Sequence, residues 1–393
     1  MKRKIAFLMS SLLVLSALIT GCSGQTEKQT TASQTTAAVQ TEAQTAEVGA
    51  APEESAADSA KSQAPAESTV PAVETADTPH NGEDTGAQTA ADTDETTVRV
   101  GAMSGPTAMG MAKLMSDAEA GSTEISYQFA DLATEASAMV TPLALGELDI
   151  AAVPANLAAT LYSKTKGGIQ VLAVNTLGVL NLLEKGDTVS GIQDLAGKKL
   201  YATGQGAVPE YVIRYLLKEN GIDPDKDLEI QWCADTTEAL SYLKESEGAI
   251  AVLPQPFATA AMSQIENLRI VQDLNDAWAA LDTGCEITTG VTVVRTAFAK
   301  EHPELVETFL REYAASAAYT SENVEGAAEL TAKYGIVAKA PLAQKALPKC
   351  HIVCLTDDEM KTALEGFLQV IFDQKAEAVG GSMPGDDFYY GIN

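Results

Sequence analysis

The sequence predicts an α/β protein of two lobes, built from mostly parallel sheets flanked by helices and joined by two crossovers. Three observations predict it. From residue 98 onward, short apolar runs alternate with helical stretches of about 10–15 residues, the rhythm of parallel sheets with helices on both faces. Near residue 300 the alternation gives way to helices, as when a chain returns to cover its first lobe. Before residue 98 there is nothing to fold: residues 23–97 hold no Phe, Trp, Tyr, Ile, Leu, Met or Cys. What remains is long enough for two lobes with cores of their own.

The first segment reads as an address. Lys2-Arg3-Lys4 is a positive n-region, and residues 5–19 are an apolar stretch too short for a confident membrane span. Leu18-Ile19-Thr20-Gly21-Cys22 follows. It resembles the bacterial lipoprotein signal, in which residues 1–21 are removed and Cys22 is diacylated. Two acyl chains give stable anchoring where one is marginal. Residues 22–97 then form a disordered acidic tether of Ala, Thr, Gln, Glu and Ser, which has no apolar surface to offset its chain entropy. Its typical reach is roughly 50 Å, which suits a thick, Gram-positive-type wall. The expected location is the outer face of the cell membrane.

Strands are expected at 98–102, 124–129, 148–153 and 169–174, with helices at 107–118, 135–145 and 155–163 between them. A second block follows Asp194-Leu195-Ala196-Gly197-Lys198-Lys199. It has strands at 200–202, 228–232, 249–253 and 268–271, and helices at 209–220, 236–245 and 256–263. A strand at 286–294 and helices at about 303–319, 321–333 and 357–371 complete the chain. The expected lobes are 98–180 with 288–393, and 181–287. In such sheets ligands lie beyond the carboxyl ends of the strands.

Composition excludes several classes. The chain has 54 acidic residues against 26 basic, a net charge of −28. That surface disfavours nucleic acid, whose phosphates need Lys and Arg, and electrostatic docking on anionic lipid. Only three histidines occur, His80, His302 and His351, which disfavours a multi-His metal site and His-based catalysis. Cys233, Cys285, Cys350 and Cys354 remain after Cys22, and three pairings are open. Cys350-His351-Ile352-Val353-Cys354 is poor support for a metal, having no second cluster. Cysteines four apart in a straight strand lie about 13 Å apart, beyond bridging reach; a bent stretch or free thiols remain.

The residue pattern over about 98–345 resembles the solute-binding proteins of ABC importers, the type II periplasmic-binding fold. Within them it is most similar to the nitrate/sulfonate/taurine and thiamine-pyrimidine group. Gly101-Ala102-Met103-Ser104-Gly105-Pro106-Thr107 resembles the first strand–loop–helix turn. Asn175-Thr176-Leu177-Gly178 sits where the chain leaves the first lobe. Gly204-Gln205-Gly206-Ala207-Val208-Pro209-Glu210 matches a second ligand-facing turn. Leu253-Pro254-Gln255-Pro256-Phe257-Ala258 resembles an LPEPF segment with Gln255 in place of the acid. Gly290-Val291-Thr292-Val293-Val294-Arg295, then His302-Pro303-Glu304, look like the returning strand and its helix.

The resemblance implies a ligand held between lobes by Ser104, Gly105, Thr107, Asn175, Thr203, Gln205, Gly206 and Gln255. The residues themselves suit that chemistry. Helix openings at 104–108 and 203–208 offer free N–H groups to an oxyanion or carbonyl, and Gly105, Gly204 and Gly206 allow close approach. Each is also ordinary turn chemistry. Asn156 either offers an amide to ligand or caps a helix. Arg, the usual bidentate partner of a buried sulfonate, is absent from these loops, so recognition by N–H and hydroxyl groups, or a neutral ligand, is expected. Tyr162, Tyr201, Tyr211 and Trp232 are stacking candidates that also fit a core.

The implied mechanism is hinge closure about strands near 178–184 and 286–294, sensed by an ABC permease with a cytoplasmic ATPase. No second apolar span or phosphate loop puts either in this chain. The protein is then a monomeric, lipid-anchored binder, with no cofactor and no catalysis. One alternative is a ligand-binding lipoprotein acting as a sensor or surface interaction protein. Another is an enzyme like the fungal synthase of the thiamine pyrimidine, whose Cys-rich motif is missing here.

Overall fold

The computed structural model describes residues 96–392. The expected signal peptide at 1–21, the expected lipidation of Cys22 and the expected tether up to residue 95 fall outside the described residues. The first part of the described chain holds β1 (Val98–Ala102), α1 (Pro106–Met109), α2 (Ala112–Glu119), β2 (Tyr127–Phe129), α3 (Val140–Leu145), β3 (Ile150–Pro154), α4 (Ala155–Thr165) and β4 (Ile169–Leu177). Next come β5 (Leu180–Lys185), β6 (Lys199–Ala202), α5 (Val208–Glu219), β7 (Glu229–Trp232), α6 (Thr236–Glu245), β8 (Ile250–Pro254), α7 (Phe257–Gln264), β9 (Leu268–Asp273) and α8 (Leu274–Ala279). The chain ends with β10 (Thr288–Arg295), α9 (Thr296–Glu301), α10 (Pro303–Glu322), α11 (Val324–Lys333), α12 (Ala340–Ala346), β11 (Ile352–Leu355) and α13 (Asp357–Gln374).

Two sheets result. One has the order β11-β4-β10-β3-β1-β2 and the other β7-β6-β8-β5-β9. The chain leaves the first sheet between β4 and β5 and re-enters it at β10. The expectation of mostly parallel sheets is corrected: four strand pairings are parallel and five antiparallel. The crossovers explain most of this. β5 and β10 each enter a sheet from the end at which its βαβ strands finish, so both run against both of their neighbours. β11 adds the fifth antiparallel pairing, against β4. Central strands such as β3, with Ile150, Ala151, Ala152 and Val153 all buried, are covered on both faces.

The helix expected over 107–118 is two helices, broken at Gly110 and Met111. A side chain from α10 causes the break. The Ser316 hydroxyl donates to the Gly110 carbonyl at 2.6 Å and accepts from the Leu114 N–H at 2.9 Å, replacing the helical bond between them. Ser316→Ala leaves both buried backbone groups unpaired and is expected to cost about 2 kcal/mol by chemical denaturation. A loss below about 0.5 kcal/mol would show that the break does not depend on that hydroxyl. The helix expected over 135–145 begins instead as a 3-10 turn, Ala136–Met139. The sequence reading missed α8, α9, α12 and β11, each short.

Each sheet is pinned, at the end away from its crossovers, by a buried carboxylate. Asp149, just before β3, accepts from Arg99 Nε at 2.8 Å, from Arg99 Nη2 at 2.7 Å and from Arg295 Nη2 at 2.7 Å. In the second sheet Glu184 accepts from Arg269 Nη2 at 2.5 Å and from the Thr188 N–H and O–H at 2.7 and 2.6 Å. The C-terminal α13 packs against α4 and β4 on one side and α5 on the other, and so touches both lobes. Cys233, Cys285, Cys350 and Cys354 are free thiols. Burial pushes the Cys350 thiol up to about 12 and the Cys354 thiol to about 11, so both stay protonated at neutral pH.

Candidate functional site

The carboxyl ends of β1, β3 and β4 and the start of β10 share one end of the first sheet, since Thr288 pairs with Leu177 and Gly290 with Pro154. In the second sheet the ends of β6 and β8 and the start of β5 likewise coincide, with Leu180 opposite Pro254. The two-residue link Gly178–Val179 joins these ends and sets them against each other. A cavity of about 360 Å³ lies between the lobes here. Pro154, Asn156 and Thr160 line it from the first lobe, and Gly206, Ala207 and Tyr211 from the second. A segment just past α13, with Lys375, Glu377 and Ala378, closes one side.

Asn156 joins the lobes directly: its Nδ2 donates to the Gly206 carbonyl at 3.4 Å. Its side chain is 7 % exposed, and its Oδ1 has no partner. Gly206 has φ +78°, a left-handed conformation that leaves its carbonyl facing α4 without side-chain strain. The C-terminal segment ties both lobes across the cavity. Gln374 Nε2 donates to the Tyr211 carbonyl at 3.1 Å, Thr160 Oγ1 to the Ala378 carbonyl at 3.2 Å and Ser163 Oγ to the Gly380 carbonyl at 2.8 Å.

Two other predicted residues, Asn175 and Thr107, meet where β4, β10 and α1 adjoin. Asn175 Nδ2 donates to Thr292 Oγ1 at 3.1 Å, and Thr176 Oγ1 donates to Asn175 Oδ1 at 2.9 Å. A Cβ at Gly290 would stand 2.6 Å from both Asn175 Oδ1 and Thr107 Cγ2, so glycine lets β10 lie this close to the side chains of β4 and α1. Thr107 Oγ1 donates to the Met103 carbonyl at 3.3 Å. Gln255, fully buried, follows β8. Its Oε1 accepts from Thr259 Oγ1 at 2.7 Å, and its Nε2 has no partner. The hydroxyls of Thr288 and Thr289, at the start of β10, are also buried and unpaired.

The rest of the predicted set is placed differently. Ser104 is exposed, and its N–H donates to the Ala133 carbonyl at 2.9 Å. Gly105, at φ +105°, caps a helix of only four residues. Gln205 is exposed, and Thr203 does not line the cavity. Two of the N–H groups expected to be free on the second loop have partners within the protein: Gly206 N–H donates to Glu210 Oε2 at 2.7 Å, and Ala207 N–H to the Gly204 carbonyl at 3.1 Å. Glu210 sits in the first turn of α5, where a carboxylate is favoured by the helix dipole. Its other oxygen accepts from Arg214 Nε at 2.8 Å. Ala207 belongs to the expected second turn, whereas the cavity-lining Thr160, Lys375, Glu377 and Ala378 were not foreseen. No local signal marks the last three, which are far along the chain from Thr160. Tyr211 lines the cavity and is otherwise buried, at 4 % exposure.

A second cavity, about 230 Å³, lies behind the crossovers among Leu177, Asn275, Trp278, Cys285, Ile287 and His351. The Gly178 carbonyl there accepts from Asn275 Nδ2 at 2.9 Å and lies 2.6 Å from His351 Nδ1. A Cβ at Gly178 would fall 1.7 Å from Asn275 Oδ1, so the link requires glycine for close approach. Among the described residues no His, Cys, Asp and Glu cluster could hold a metal, and no helix is long and apolar enough to cross a membrane.

A protein family described as NMT1/THI5 like matches residues 135–327. No curated protein matches the sequence. Among solved structures the chain is similar to an ABC transporter protein from Parabacteroides distasonis, at 24 % identity and TM-score 0.63 over 75 % of this chain and 98 % of that one. It is similar to the periplasmic aliphatic sulphonate binding protein SsuA from Escherichia coli, at 14 % identity and TM-score 0.59 over 76 % and 92 %. A DSZB mutant in complex with biphenyl-2-sulfinic acid shares the architecture at 12 % identity and TM-score 0.56 over 75 % and 96 %.

Proposed function

From a chain that carries an NMT1/THI5-like domain within the two-lobed type II periplasmic-binding fold of solute-binding proteins, we propose an extracytoplasmic solute-binding lipoprotein. It captures a small organic or anionic solute between its lobes and delivers it to an ABC permease driven by a cytoplasmic ATPase. It works as a monomer held to the membrane through a lipid on Cys22, and it catalyses nothing. The observation that carries this is the inter-lobe cavity, formed where the strand ends of both sheets converge and bridged by the Asn156–Gly206 contact.

The geometry supports closure as the working step. β5 and β10 are the passages between lobes, and the Gly178–Val179 link is short enough for rotation there to move one lobe as a body. A solute that touches both lobes favours the closed arrangement by its differential affinity for it, and the permease reads that population. Ligand contacts fall on Asn156 and Gly206 at the cavity and on Thr107, Asn175 and Gln255 at the same ends of the two sheets; Ser104, Gly105, Thr203 and Gln205 enter from loops that shift with the lobes.

The test is a thermal-shift screen of the full chain against sulfonates, nitrate, carboxylates, amides and nitrogen heterocycles. A solute at a hundred times its Kd adds about 2.7 kcal/mol, expected to raise the melting temperature by several degrees and to lower the radius of gyration in X-ray scattering. Stabilisation with unchanged scattering would remove closure. Turnover of a stabilising solute would replace the binder with an enzyme.

A further inference from the structure

We propose that His351 and Asn275 form a two-donor clamp on the Gly178 carbonyl, which holds the lobes in the closed arrangement and so sets solute affinity without touching solute. This rests on the closure reading above and names what regulates it.

The three groups come from three parts of the hinge. Gly178 opens the two-residue link between β4 and β5. His351 belongs to the first lobe, since it directly precedes β11, which pairs with β4. Asn275 belongs to the second lobe, on α8, which packs on β5 and β9. The carbonyl of the buried Gly178 thus meets a side chain from each lobe, Asn275 Nδ2 at 2.9 Å and His351 Nδ1 at 2.6 Å.

The chemistry of the contact assigns the protons. Asn275 Nδ2 lies 3.1 Å from His351 Nδ1. A bare Nδ1 could accept from that amide, but its lone pair would then face those of the carbonyl at 2.6 Å. Nδ1 therefore carries a proton, and both nitrogens donate to the same oxygen. Two donors on different lobes share one acceptor only while the lobes hold them together. Rotation at the link carries one donor away and leaves the carbonyl with a single bond.

Both donors are held in place. His351 has φ +46°, a left-handed conformation uncommon for a residue with a Cβ. Its own carbonyl accepts from the Leu177 N–H at 3.1 Å, so it grips the link through backbone and side chain together. The Asn275 N–H donates to Asp273 Oδ1 at 2.8 Å, which fixes the start of α8. The returning crossover passes the same point, since a Cβ at Gly178 would stand 3.1 Å from Ile287 Cβ. Asn275 and His351 line the cavity of about 230 Å³ behind the crossovers. That space lets them part as the lobes open, where a close-packed interior would resist.

The experiment reads the lobes directly, in the full chain without solute. Spin labels on noncanonical keto residues at Lys300 and Glu245, exposed positions on the first and second lobes, leave the free thiols of the described residues untouched. Double electron–electron resonance then gives the ratio of open to closed populations. His351→Asp and His351→Asn match in size, and both side chains tolerate the left-handed backbone. His351→Asp sets an acceptor against the carbonyl. It should raise the ratio about fivefold or more, the factor equivalent to about 1 kcal/mol, one net hydrogen bond. His351→Asn restores a donor near the Nδ1 position and should stay within about twofold of wild type. Asn275→Leu breaks the same span from the other lobe. It should match His351→Asp, and the double variant should add little to either. If His351→Asp does not fold, Asn275→Leu carries the test. A ratio unmoved by the loss of either donor overturns the proposal. So does a His351→Asn variant that opens as far as His351→Asp, or a double variant whose two effects multiply. The two levels separate because no solute is present. A blank thermal-shift screen beside a raised ratio sinks solute binding and leaves the clamp, whereas a stabilising solute beside an unmoved ratio sinks the clamp alone.

Discussion

Trp278→Ala is expected to lower folding stability by about 3–5 kcal/mol, the range for removing a fully packed large aromatic. Trp278 is 2 % exposed. Its ring lies 4.8 Å from that of Tyr215 on α5 and 5.7 Å from that of Phe367 on α13, centroid to centroid. Its Nε1 donates to the Cys285 carbonyl at 2.8 Å, just ahead of the returning crossover. One side chain on α8 therefore fills the junction of the second lobe, the C-terminal helix and the hinge. Those neighbours belong to separate rigid elements, so the space cannot collapse, and it would merge with the cavity behind the crossovers. The melting temperature should fall by roughly 10 °C at 2–4 °C per kcal/mol. Trp278→Phe keeps most of the packing and should recover more than half of the loss. A deficit below about 1.5 kcal/mol for the alanine variant would mean that the lobes are held elsewhere.

Asp149→Asn is expected to cost about 2–3 kcal/mol at neutral pH. Removing one partner of a buried ion pair costs more than this when everything is buried. Here Arg99 and Arg295 keep part of their side chains in water and are less stranded. The pH dependence separates this from a packing effect. Burial pushes the Asp149 carboxyl up, but the hydrogen bonds from Arg99 and Arg295 outweigh it and hold the group below the usual carboxylate range. A depressed folded pKa gives stability that is fully present above the unfolded value near 4 and is lost as pH falls through the folded value. The gap between wild type and Asp149→Asn in denaturant titrations should be constant from neutrality to about pH 5 and then narrow as pH drops below about 4. A gap that stays flat through that window would show that the carboxylate's charge is not what stabilises the sheet.

Much of this architecture was legible residue by residue. The crossover strand β5 lies over the segment expected to act as a hinge near 178–184, and β10 over 286–294. The buried run at β3 and the starts of α5 and α10, with Pro209 and Pro303 in their first turns, are local signals that tertiary packing had no cause to override. The helix over 107–118 failed because its break comes from Ser316, about two hundred residues away. The parallel sheets failed because strand direction at a crossover depends on which lobe the chain enters.

The site divides along the same line. Asn156 and Gly206 were named from turn chemistry, and the structure brings them into contact across the cleft. Spacing within single loops determined that polar groups and glycines would stand at strand ends, because periodicity and capping act over four or five residues. Only the tertiary structure decided which of those groups are free. Glu210 and Ala133 use up N–H groups that a loop read alone leaves open, and the cavity is closed by hydrogen bonds from the end of α13 to α5 and between α4 and the segment past α13. Hydrogen-bond satisfaction is a sum over every neighbour in space, and a sequence lists neighbours only along the chain.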